Sequence, residues 1–305
     1  MMLRLKIWLK AIRVPFFTAT IIPVALGAIV AWYDTGNFIW PIFWLAMVGA
    51  LLIHAGTNLA NDYFDYLSGC DVANPNPTPF SGGSRVIPEG LLSPKKVLAA
   101  ALAAFLLGGS IGLYLNYLSG KNVILVLGLI GIFLGFFYSA KPLRIGYRSF
   151  GELAVGVGFG PLMVLGSYYT QARILPFRVF LISIPVGILI ALVLFINEFP
   201  DYIADKNAGK RTLVVILGKK RAVILYHILL TKAYLIIIYL VTVRYLPPIC
   251  LITLLSLPLA LRAFMVSRRN FDKIYELLPA NASTIGLHSA LGLLLCAGFI
   301  LDKIF

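Results

Sequence analysis

The sequence has few of the residues that form the surface of a soluble protein or a thiol-based site. Only 12% of its 305 residues are charged, whereas soluble domains average about 25%. Cys70, Cys250 and Cys296 lack the paired spacing of a disulfide framework or a zinc site, so we interpret all three as free thiols. The three histidines are scattered, and the sequence has no Ser/His/Asp arrangement and no Gly-rich phosphate loop. These absences argue against a disulfide scaffold, a zinc enzyme, a serine hydrolase and a P-loop protein.

Long apolar stretches dominate the chain instead. Apolar residues make up 60% of it, and the mean hydropathy is +0.92. A helix needs about 20 apolar residues to cross the hydrocarbon core, and nine stretches reach roughly that length: 15–33, 39–58, 96–117, 122–140, 151–170, 178–197, 222–243, 245–265 and 285–302. We predict an all-α integral membrane protein with nine transmembrane helices in one bundle, and residues 1–305 as a single membrane-embedded domain. In the fifth stretch, Gly156, Gly158 and Gly160 predict close helix packing rather than a nucleotide site.

The net charge of +14 would suggest nucleic-acid binding if the protein were soluble. Here most Lys and Arg residues lie in segments on the same side as the N-terminus. The opposite side has five, namely Lys121, Arg173, Arg178, Arg244 and Lys303. This asymmetry predicts an N-in/C-out, multi-pass protein of the cytoplasmic membrane. We therefore expect no nucleic-acid partner, and some attraction to anionic membrane lipid.

Seven of the 12 acidic residues fall in two inner segments. The first group follows the second apolar stretch. If that stretch continues as a helix, the spacing i, i+3, i+4, i+7 places four polar side chains on one face: Asn58, Asn61, Asp62 and Asp65. His54 lies one turn earlier on the same face, although we assign it no role as a base. Asp71 and Glu89 follow in the same segment.

The second acidic group extends the sixth apolar stretch in the same way. Asn197, Asp201 and Asp205 are spaced i, i+4, i+8, and Glu198 precedes Asp201 by three residues. Both groups are thus predicted to lie at the cytoplasmic ends of helices 2 and 6. Carboxylates at the mouth of a bundle repel one another and are costly to desolvate unless they are paired or bind a metal.

The residue types around these acids favour a magnesium–diphosphate site. Oxygen ligands without His or Cys suit hard cations, and Mg²⁺ usually bridges carboxylates to the phosphates of a substrate. Four basic residues lie beside the acids: Arg85, Lys206, Lys210 and Arg211. Carboxylates, Mg²⁺, phosphate and basic side chains together would form a diphosphate clamp. Solvated salt bridges between these acids and bases remain the alternative interpretation.

The two acidic motifs resemble the signatures of the UbiA superfamily of intramembrane prenyltransferases. They read Asn61-Asp62-Tyr63-Phe64-Asp65 and Asp201-x-x-x-Asp205. The sequence is most similar to the menaquinone-type, or 1,4-dihydroxy-2-naphthoate polyprenyltransferase, branch in the delayed Asp71, in the run 208–213 and in Arg13-Val14-Pro15. Pro200 departs from that branch, which usually has Arg immediately before Asp201.

The resemblance implies a role for particular residues. Four of them match positions that hold Mg²⁺ against the diphosphate: Asn61, Asp65, Asp201 and Asp205. Supporting positions are Asn58, Asp62, Asp71, Asn197 and Glu198. Expected diphosphate-binding residues are Arg85, Lys141, Lys206, Lys210, Arg211 and Arg13, although Lys141 could equally be a positive-inside anchor. Candidates for the prenyl and acceptor pocket are Tyr63, Phe64, Tyr138, Ser139 and Tyr202, for which ordinary packing is the alternative.

The expected activity is Mg²⁺-dependent transfer of a polyprenyl group from a polyprenyl diphosphate to an aromatic acceptor, with release of diphosphate. A 1,4-dihydroxy-2-naphthoate-like acceptor is favoured, and another phenol or a lipid or glycerol-phosphate acceptor is the alternative. A secondary transporter would also have intramembrane acids, but its binding residues usually lie near the bilayer midplane in an inverted repeat. The Asp-rich motif of a CDP-alcohol phosphotransferase, which includes Gly and Arg, is absent.

Overall fold

A computed structural model describes residues 2–70 and 77–305. Within these residues the secondary structure is helical, apart from one isolated bridge between Thr78 and Ser81. The α-helices are α1 (Met2–Ala11), α2 (Thr18–Thr35), α3 (Trp40–Leu67), α4 (Pro94–Ser119), α5 (Val123–Phe137), α6 (Gly151–Val157), α7 (Met163–Ala172), α8 (Phe177–Asn207), α9 (Leu213–Leu217), α10 (Lys219–Thr242), α11 (Leu257–Asn270) and α12 (Ile274–Ile304). Short 3₁₀ segments cover Val14–Phe17, Ile145–Tyr147 and Pro248–Ser256.

The helices have the length and composition of a multi-pass membrane protein. In the described part of the chain, eight helical segments of 18 residues or more are apolar enough to cross a bilayer. The predicted stretch 122–140 corresponds to the shorter α5, which has 15 residues. At 1.5 Å per residue α5 spans about 22 Å, less than the roughly 30 Å of hydrocarbon. The all-helical membrane fold is confirmed, whereas nine crossings and the N-in orientation stay predictions.

The core of the bundle surrounds α8, the most thoroughly buried of the long helices. Leu189, Leu192 and Ile196 of α8 are fully buried and pack with residues of α2, α7, α10 and α12. Large apolar side chains such as Leu106 and Leu293 are exposed on the outer surface. Exposed leucine on a helical bundle of this length is what a lipid-facing surface requires, because lipid tails solvate it as well as a protein core does.

Small residues allow α8 to approach the segment from α6 to α7 very closely. A Cβ atom on Gly160 would lie 2.6 Å from the Cα of Gly187, and one on Gly156 would lie 3.1 Å from the Gly187 carbonyl oxygen. The predicted close packing is therefore confirmed at these two positions. Gly158 faces open space instead. Between α6 and α7 the chain forms a π-helical turn, Gly158–Leu162, that contains Pro161. A proline cannot donate the regular helical hydrogen bond, which accounts for the wider turn.

The basic N-terminal segment also forms a helix, α1, which the hydropathy pattern did not predict. Ile7 and Trp8 of α1 pack against a small core that includes Leu59 of α3 and Val86. Arg13 follows α1 with a left-handed backbone conformation (φ 56°), and this turn directs the chain into α2. The N-terminus thereby lies over the end of α3 where the first acidic motif is found.

Candidate active site

The first acidic motif lies in the last turns of α3, which continues without a break to Leu67. Asn58, Asn61 and Asp65 line a cavity of about 600 Å³. The Asn61 side-chain amide donates to Ser139 Oγ at 2.7 Å and to Asp65 Oδ2 at 3.2 Å. The Asn58 amide donates to the carbonyl oxygen of Ile12 at 2.9 Å. Continuation of α3 beyond the apolar stretch is thus what brings these oxygens to one wall.

Asp62 lies on the same helix but is not among the residues that line the cavity. It is 2% exposed and forms an ion pair with Arg13. Its carboxylate also accepts hydrogen bonds from the backbone N–H of Ser84, at 3.2 Å, and from the Ser84 hydroxyl. The same guanidinium donates to Asn61 Oδ1 at 2.9 Å. Asp62 therefore joins three chain segments and holds its neighbour Asn61 in place.

The second acidic motif lies near the end of α8 and faces the same cavity. Glu198, Asp201 and Asp205 are all among its lining residues. The backbone N–H of Gly82 donates to Asp201 Oδ2 at 3.0 Å, so the segment after the first motif also contacts the second. Asn197 lines the cavity too, and its Oδ1 accepts a hydrogen bond of 2.8 Å from Asn281 on α12.

Lys210 connects the two motifs. Its ammonium group lies 3.1 Å from Asp65 Oδ2 and 3.6 Å from Asp205 Oδ1. Burial alone would lower the pKa of Lys210, but the two carboxylates outweigh it and raise that pKa well above its ordinary value. Lys210 therefore stays protonated and carries positive charge between carboxylates from opposite walls. The same ammonium lies 4.8 Å from the centre of the Tyr147 ring, within the range of a cation–π contact.

Sequence reasoning did not identify Tyr147. Its hydroxyl donates to Asp65 Oδ1 at 2.9 Å and is 2.6 Å from Ser68 Oγ. Burial and the nearby Asp65 carboxylate raise the pKa of Tyr147, so the hydroxyl keeps its proton and acts as a donor. Glu152, Ser84 and Cys70 were also missed. The adjacent Gly82 and Gly83, both with positive φ, were the one local signal that the segment around Ser84 forms a tight turn.

The structure brings most of the predicted residues together around this cavity. The lining includes Arg13, Asn58, Asn61, Asp65, Arg85, Tyr138, Ser139, Asn197, Glu198, Asp201, Asp205 and Lys210. Arg85 also lies 3.6 Å from Glu89, which accepts a 2.8 Å hydrogen bond from Lys10. These last contacts connect Arg85 of the cavity lining to Lys10 of α1.

Besides Asp62, six predicted residues of the described chain do not line the cavity: Lys141, Lys206, Arg211, Tyr63, Phe64 and Tyr202. The three basic side chains are exposed to solvent. Lys206 follows Asp205 directly, so it is about 100° further around α8. Tyr63 and Phe64 pack into the small core beneath α1, and Tyr202 packs against the main core. Asp71 lies outside the described residues.

A second, apolar cavity of about 180 Å³ adjoins the polar one. His54, Thr57, Tyr138, Val155 and Phe159 line both, so the two spaces meet at these side chains. His54 is buried there, with Nδ1 2.8 Å from Thr20 Oγ1. Glycines widen the apolar cavity, because a Cβ atom would meet nothing within 4 Å at four lining positions: Gly112, Gly128, Gly131 and Gly158. The combined space is polar at one end and apolar at the other.

The side chains of the polar cavity suit a magnesium ion that is bound together with a phosphate ligand. Asn61, Asp65, Asp201 and Asp205 offer oxygen donors from two walls. Among the described residues, no three His, Cys, Asp or Glu side chains converge as a preformed metal cluster. Mg²⁺ commonly uses one or two carboxylates and takes its other ligands from water and phosphates. The donor set therefore fits Mg²⁺ as part of a metal–diphosphate complex.

Known proteins match nearly the whole length of this chain. Residues 20–285 match the model of the UbiA prenyltransferase family. The 2-carboxy-1,4-naphthoquinone phytyltransferase of Synechocystis sp. is 30% identical over 295 residues, which cover 96% of this chain and 93% of that protein. The 1,4-dihydroxy-2-naphthoate octaprenyltransferase of Mycobacterium tuberculosis is 35% identical, and the match covers 84% of each chain.

A solved structure shares the fold. It is that of a UbiA homologue from Archaeoglobus fulgidus bound to DMAPP and Mg²⁺, with a TM-score of 0.69 and 17% identity over 95% of this chain and 99% of that one. At this identity the similarity establishes the arrangement of helices alone. Together with the family match, it shows that this multi-pass membrane protein belongs to the UbiA prenyltransferase family.

Proposed function

We propose that the protein transfers a polyprenyl group from a polyprenyl diphosphate to a 1,4-dihydroxy-2-naphthoate-like acceptor, with Mg²⁺ bound to the diphosphate. The observation that carries this proposal is the junction of the two cavities. A polar space lined by both acidic motifs adjoins an apolar space lined by glycines, and five side chains line both. A prenyl diphosphate has the same division, with a charged head and an apolar tail.

The head group would bind at the two acidic motifs. Asn61, Asp65, Asp201 and Asp205 would hold Mg²⁺, which supplies charge neutralisation of the leaving diphosphate. Lys210 already lies between Asp65 and Asp205, where its positive charge would face the same phosphates. Arg85 lines the same cavity and is the second basic candidate. Arg13 acts less directly, since it pairs with Asp62 and orients Asn61.

The apolar cavity would take the prenyl tail and protect the reacting carbon. Cleavage of the C–O bond sends its electron pair to the diphosphate and leaves positive charge on the allylic carbon. Tyr138 and Phe159 line both cavities, and their rings would stabilise that charge. Excluding water from this position protects the cation from hydrolysis.

The acceptor assignment depends on the relatives. Both curated relatives described above are named for naphthoate- or naphthoquinone-type substrates. An aromatic ring activated by two hydroxyls is a strong carbon nucleophile, so holding it against the allylic carbon supplies much of the rate through proximity. The acceptor carbon forms the new C–C bond, and the group that this carbon carried departs and leaves its bonding electrons in the ring, which becomes aromatic again.

An acceptor screen tests this proposal. Purified protein in detergent would be given geranylgeranyl diphosphate, Mg²⁺ and one of three acceptors: 1,4-dihydroxy-2-naphthoate, 4-hydroxybenzoate or a glyceryl phosphate. We expect prenylated naphthoate and stoichiometric diphosphate, with loss of both on addition of EDTA. Product from hydroxybenzoate or glyceryl phosphate alone would overturn the acceptor assignment. Absence of any Mg²⁺-dependent diphosphate release would overturn the proposed reaction.

A further inference from the structure

A buried histidine lies where the polar and apolar cavities adjoin, and neither metal nor diphosphate binding uses it. His54 is on α3, is 5% exposed and lines both cavities. It lies two turns before Asn61, which places the two residues on one face of α3, about 10 Å apart along the helix axis. His54 is therefore on the apolar side of the residues that would hold the diphosphate.

The hydroxyl of Thr20 determines which nitrogen of the His54 ring carries the proton. Thr20 is fully buried on α2, and its Oγ1 lies 2.8 Å from His54 Nδ1. Within the described chain, this ring nitrogen is the only hydrogen-bond partner of that hydroxyl. A buried hydroxyl donates its hydrogen where an acceptor is in reach, so the Thr20 O–H donates and Nδ1 accepts. The imidazole is thus neutral, with its proton on Nε2.

The Nε2–H group of His54 has no partner in the described part of the chain. No oxygen or nitrogen of these residues accepts a hydrogen bond from it. Nor is this nitrogen enclosed, unlike both ring nitrogens of His288 on α12, which are fully buried without a partner. Since His54 lines both cavities, the N–H faces the space where they adjoin. Buried donors are seldom left without an acceptor, so this one points to an oxygen of a ligand.

The surroundings of this N–H suit an aromatic ligand better than a phosphate. Phe17 and Phe159 pack against the imidazole, with ring centres 5.3 and 4.7 Å from it. Thr57, a polar neighbour that also lines both cavities, already donates its hydroxyl to the carbonyl oxygen of Ile53. A neutral donor among aromatic rings gives little charge compensation to a phosphate, but it matches a hydroxyl oxygen on a flat apolar ring.

We propose that the Nε2–H of His54 donates to one of the two ring hydroxyl oxygens of the aromatic acceptor, and that Thr20 is its positioning partner. This inference rests on the proposed function and names a residue that selects the acceptor. The bond would hold the ring on the apolar side of the diphosphate, against the allylic carbon. His54 keeps its proton and orients the acceptor. Aromatic molecules that lack this oxygen would bind poorly, because they leave the buried N–H without a partner.

Acceptor binding measured in the absence of the prenyl donor tests this assignment. His54→Phe removes the N–H and keeps a planar ring, so we expect it to weaken binding of 1,4-dihydroxy-2-naphthoate by about tenfold or more. The Kd for a non-hydrolysable prenyl diphosphate with Mg²⁺ should stay close to that of the parent. His54→Gln, whose amide offers an N–H near the same place, should recover part of the acceptor affinity. His227→Phe is the matched control, since His227 bonds to Ser267 on α11 and lines neither cavity.

Two acceptor analogues identify the bonded oxygen. Each of 1-hydroxy-2-naphthoate and 4-hydroxy-2-naphthoate lacks one of the two hydroxyls. The parent and His54→Phe should bind the analogue that lacks the bonded oxygen equally well. For the other analogue, the difference of about tenfold between parent and variant should remain, as in a double-mutant cycle.

Thr20→Val covers the case in which the His54 variants fail to fold. It keeps the shape of a side chain that lines neither cavity, and it frees the ring proton to move to Nδ1. Acceptor affinity should fall by less than in His54→Phe, with donor affinity unchanged. Unchanged acceptor affinity in both variants, a parallel loss of donor affinity, or the same parent-to-variant difference for both analogues would overturn the proposal. If the parent protein neither binds nor prenylates any aromatic acceptor, the proposed function fails instead, so the two failures are distinguishable.

Discussion

Arg13 holds the buried carboxylate of Asp62 in an ion pair that ties the turn before α2 to the end of α3. The pair explains why adjacent residues of one motif have different surroundings. Asn61 and Asp65 line the cavity, whereas Asp62 is turned toward Arg13 and Ser84. In the first motif, Asn61 and Asp65 thus line the site, and Asp62 between them fixes the end of α3 to the neighbouring segments.

Removal of the Asp62 carboxylate should therefore reduce stability more than substrate affinity. The Asp62 carboxylate accepts from the Arg13 guanidinium and from the N–H and hydroxyl of Ser84, and taking the acceptor away from buried donors costs about 1–3 kcal/mol. We expect Asp62→Asn to lower the Tm in detergent clearly, and Glu89→Gln, which breaks the exposed pair with Lys10, to change it little. An unchanged Tm together with lost donor binding would instead identify Asp62 as a ligand.

Asp65→Asn and Asp201→Asn should act on catalysis. Each substitution removes a charged oxygen from the proposed Mg²⁺–diphosphate site, and losing such electrostatic stabilisation costs about 100- to 1,000-fold in kcat. Diphosphate release measured at several Mg²⁺ concentrations would show the loss and a higher Mg²⁺ requirement. Asp272→Asn, which changes an exposed acid after α11, is the matched control. Near-normal rates for both cavity variants at saturating Mg²⁺ would contradict the metal assignment.

Much of this site follows from the sequence because it lies on two long helices. The lengths of the apolar stretches predict the membrane-spanning helices. If each helix continues past its apolar stretch, Asn61 and Asp65 fall on one face of the first helix, and Asp201 and Asp205 fall on one face of the second. Two features of the site could not be predicted from the sequence. Tyr147 comes from a connection whose path depends on tertiary packing, and the choice between Lys206 and Lys210 depends on how the chain turns after α8.

Substitutions can test directly whether Lys210, rather than Lys206, is the lysine that acts in the site. Lys210→Met should lower the rate of prenyl transfer strongly and should lower the Tm, because Asp65 and Asp205 lose the cation between them. We expect Mg²⁺ to recover part of the Tm, since the metal would neutralise the same carboxylates. Lys206→Met, four residues earlier and exposed, should have little effect on either measurement. Equal effects of the two substitutions would show that general basic charge, rather than the position of Lys210, is what matters.

The apolar cavity predicts a dependence on the length of the donor. Gly112→Leu should reduce kcat/KM for geranylgeranyl diphosphate by about tenfold or more and leave geranyl diphosphate less affected, because the new side chain would occupy open space in the cavity. Gly109→Leu, on the same helix but outside the lining, is the control. Competition between the two donors in one reaction would measure the ratio. Equal losses for both donors would mean that the tail lies elsewhere.

The orientation predicted from the charges is also testable. With the N-terminus inside, a cysteine at position 37 should react with an impermeant maleimide added outside intact cells, and a cysteine at position 206 should react only after permeabilisation. Asn37 and Lys206 are both exposed in the structure, so accessibility itself is matched. External labelling at position 206 would place both acidic motifs on the opposite side of the membrane.

The anchor around Asp62 has a consequence for biosynthesis. Arg13, the Ile12 carbonyl that accepts from Asn58, and Ser84 all come from the first part of the chain. Since chains emerge from the ribosome N-terminus first, this half of the site can assemble when α2 and α3 have entered the bilayer. Asp205, near the end of α8, and Lys210, just after it, are made only once α4 to α7 and most of α8 have been synthesised. Until Lys210 is synthesised, the Asp65 carboxylate of the nascent protein lacks the ammonium group that pairs with it in the finished structure.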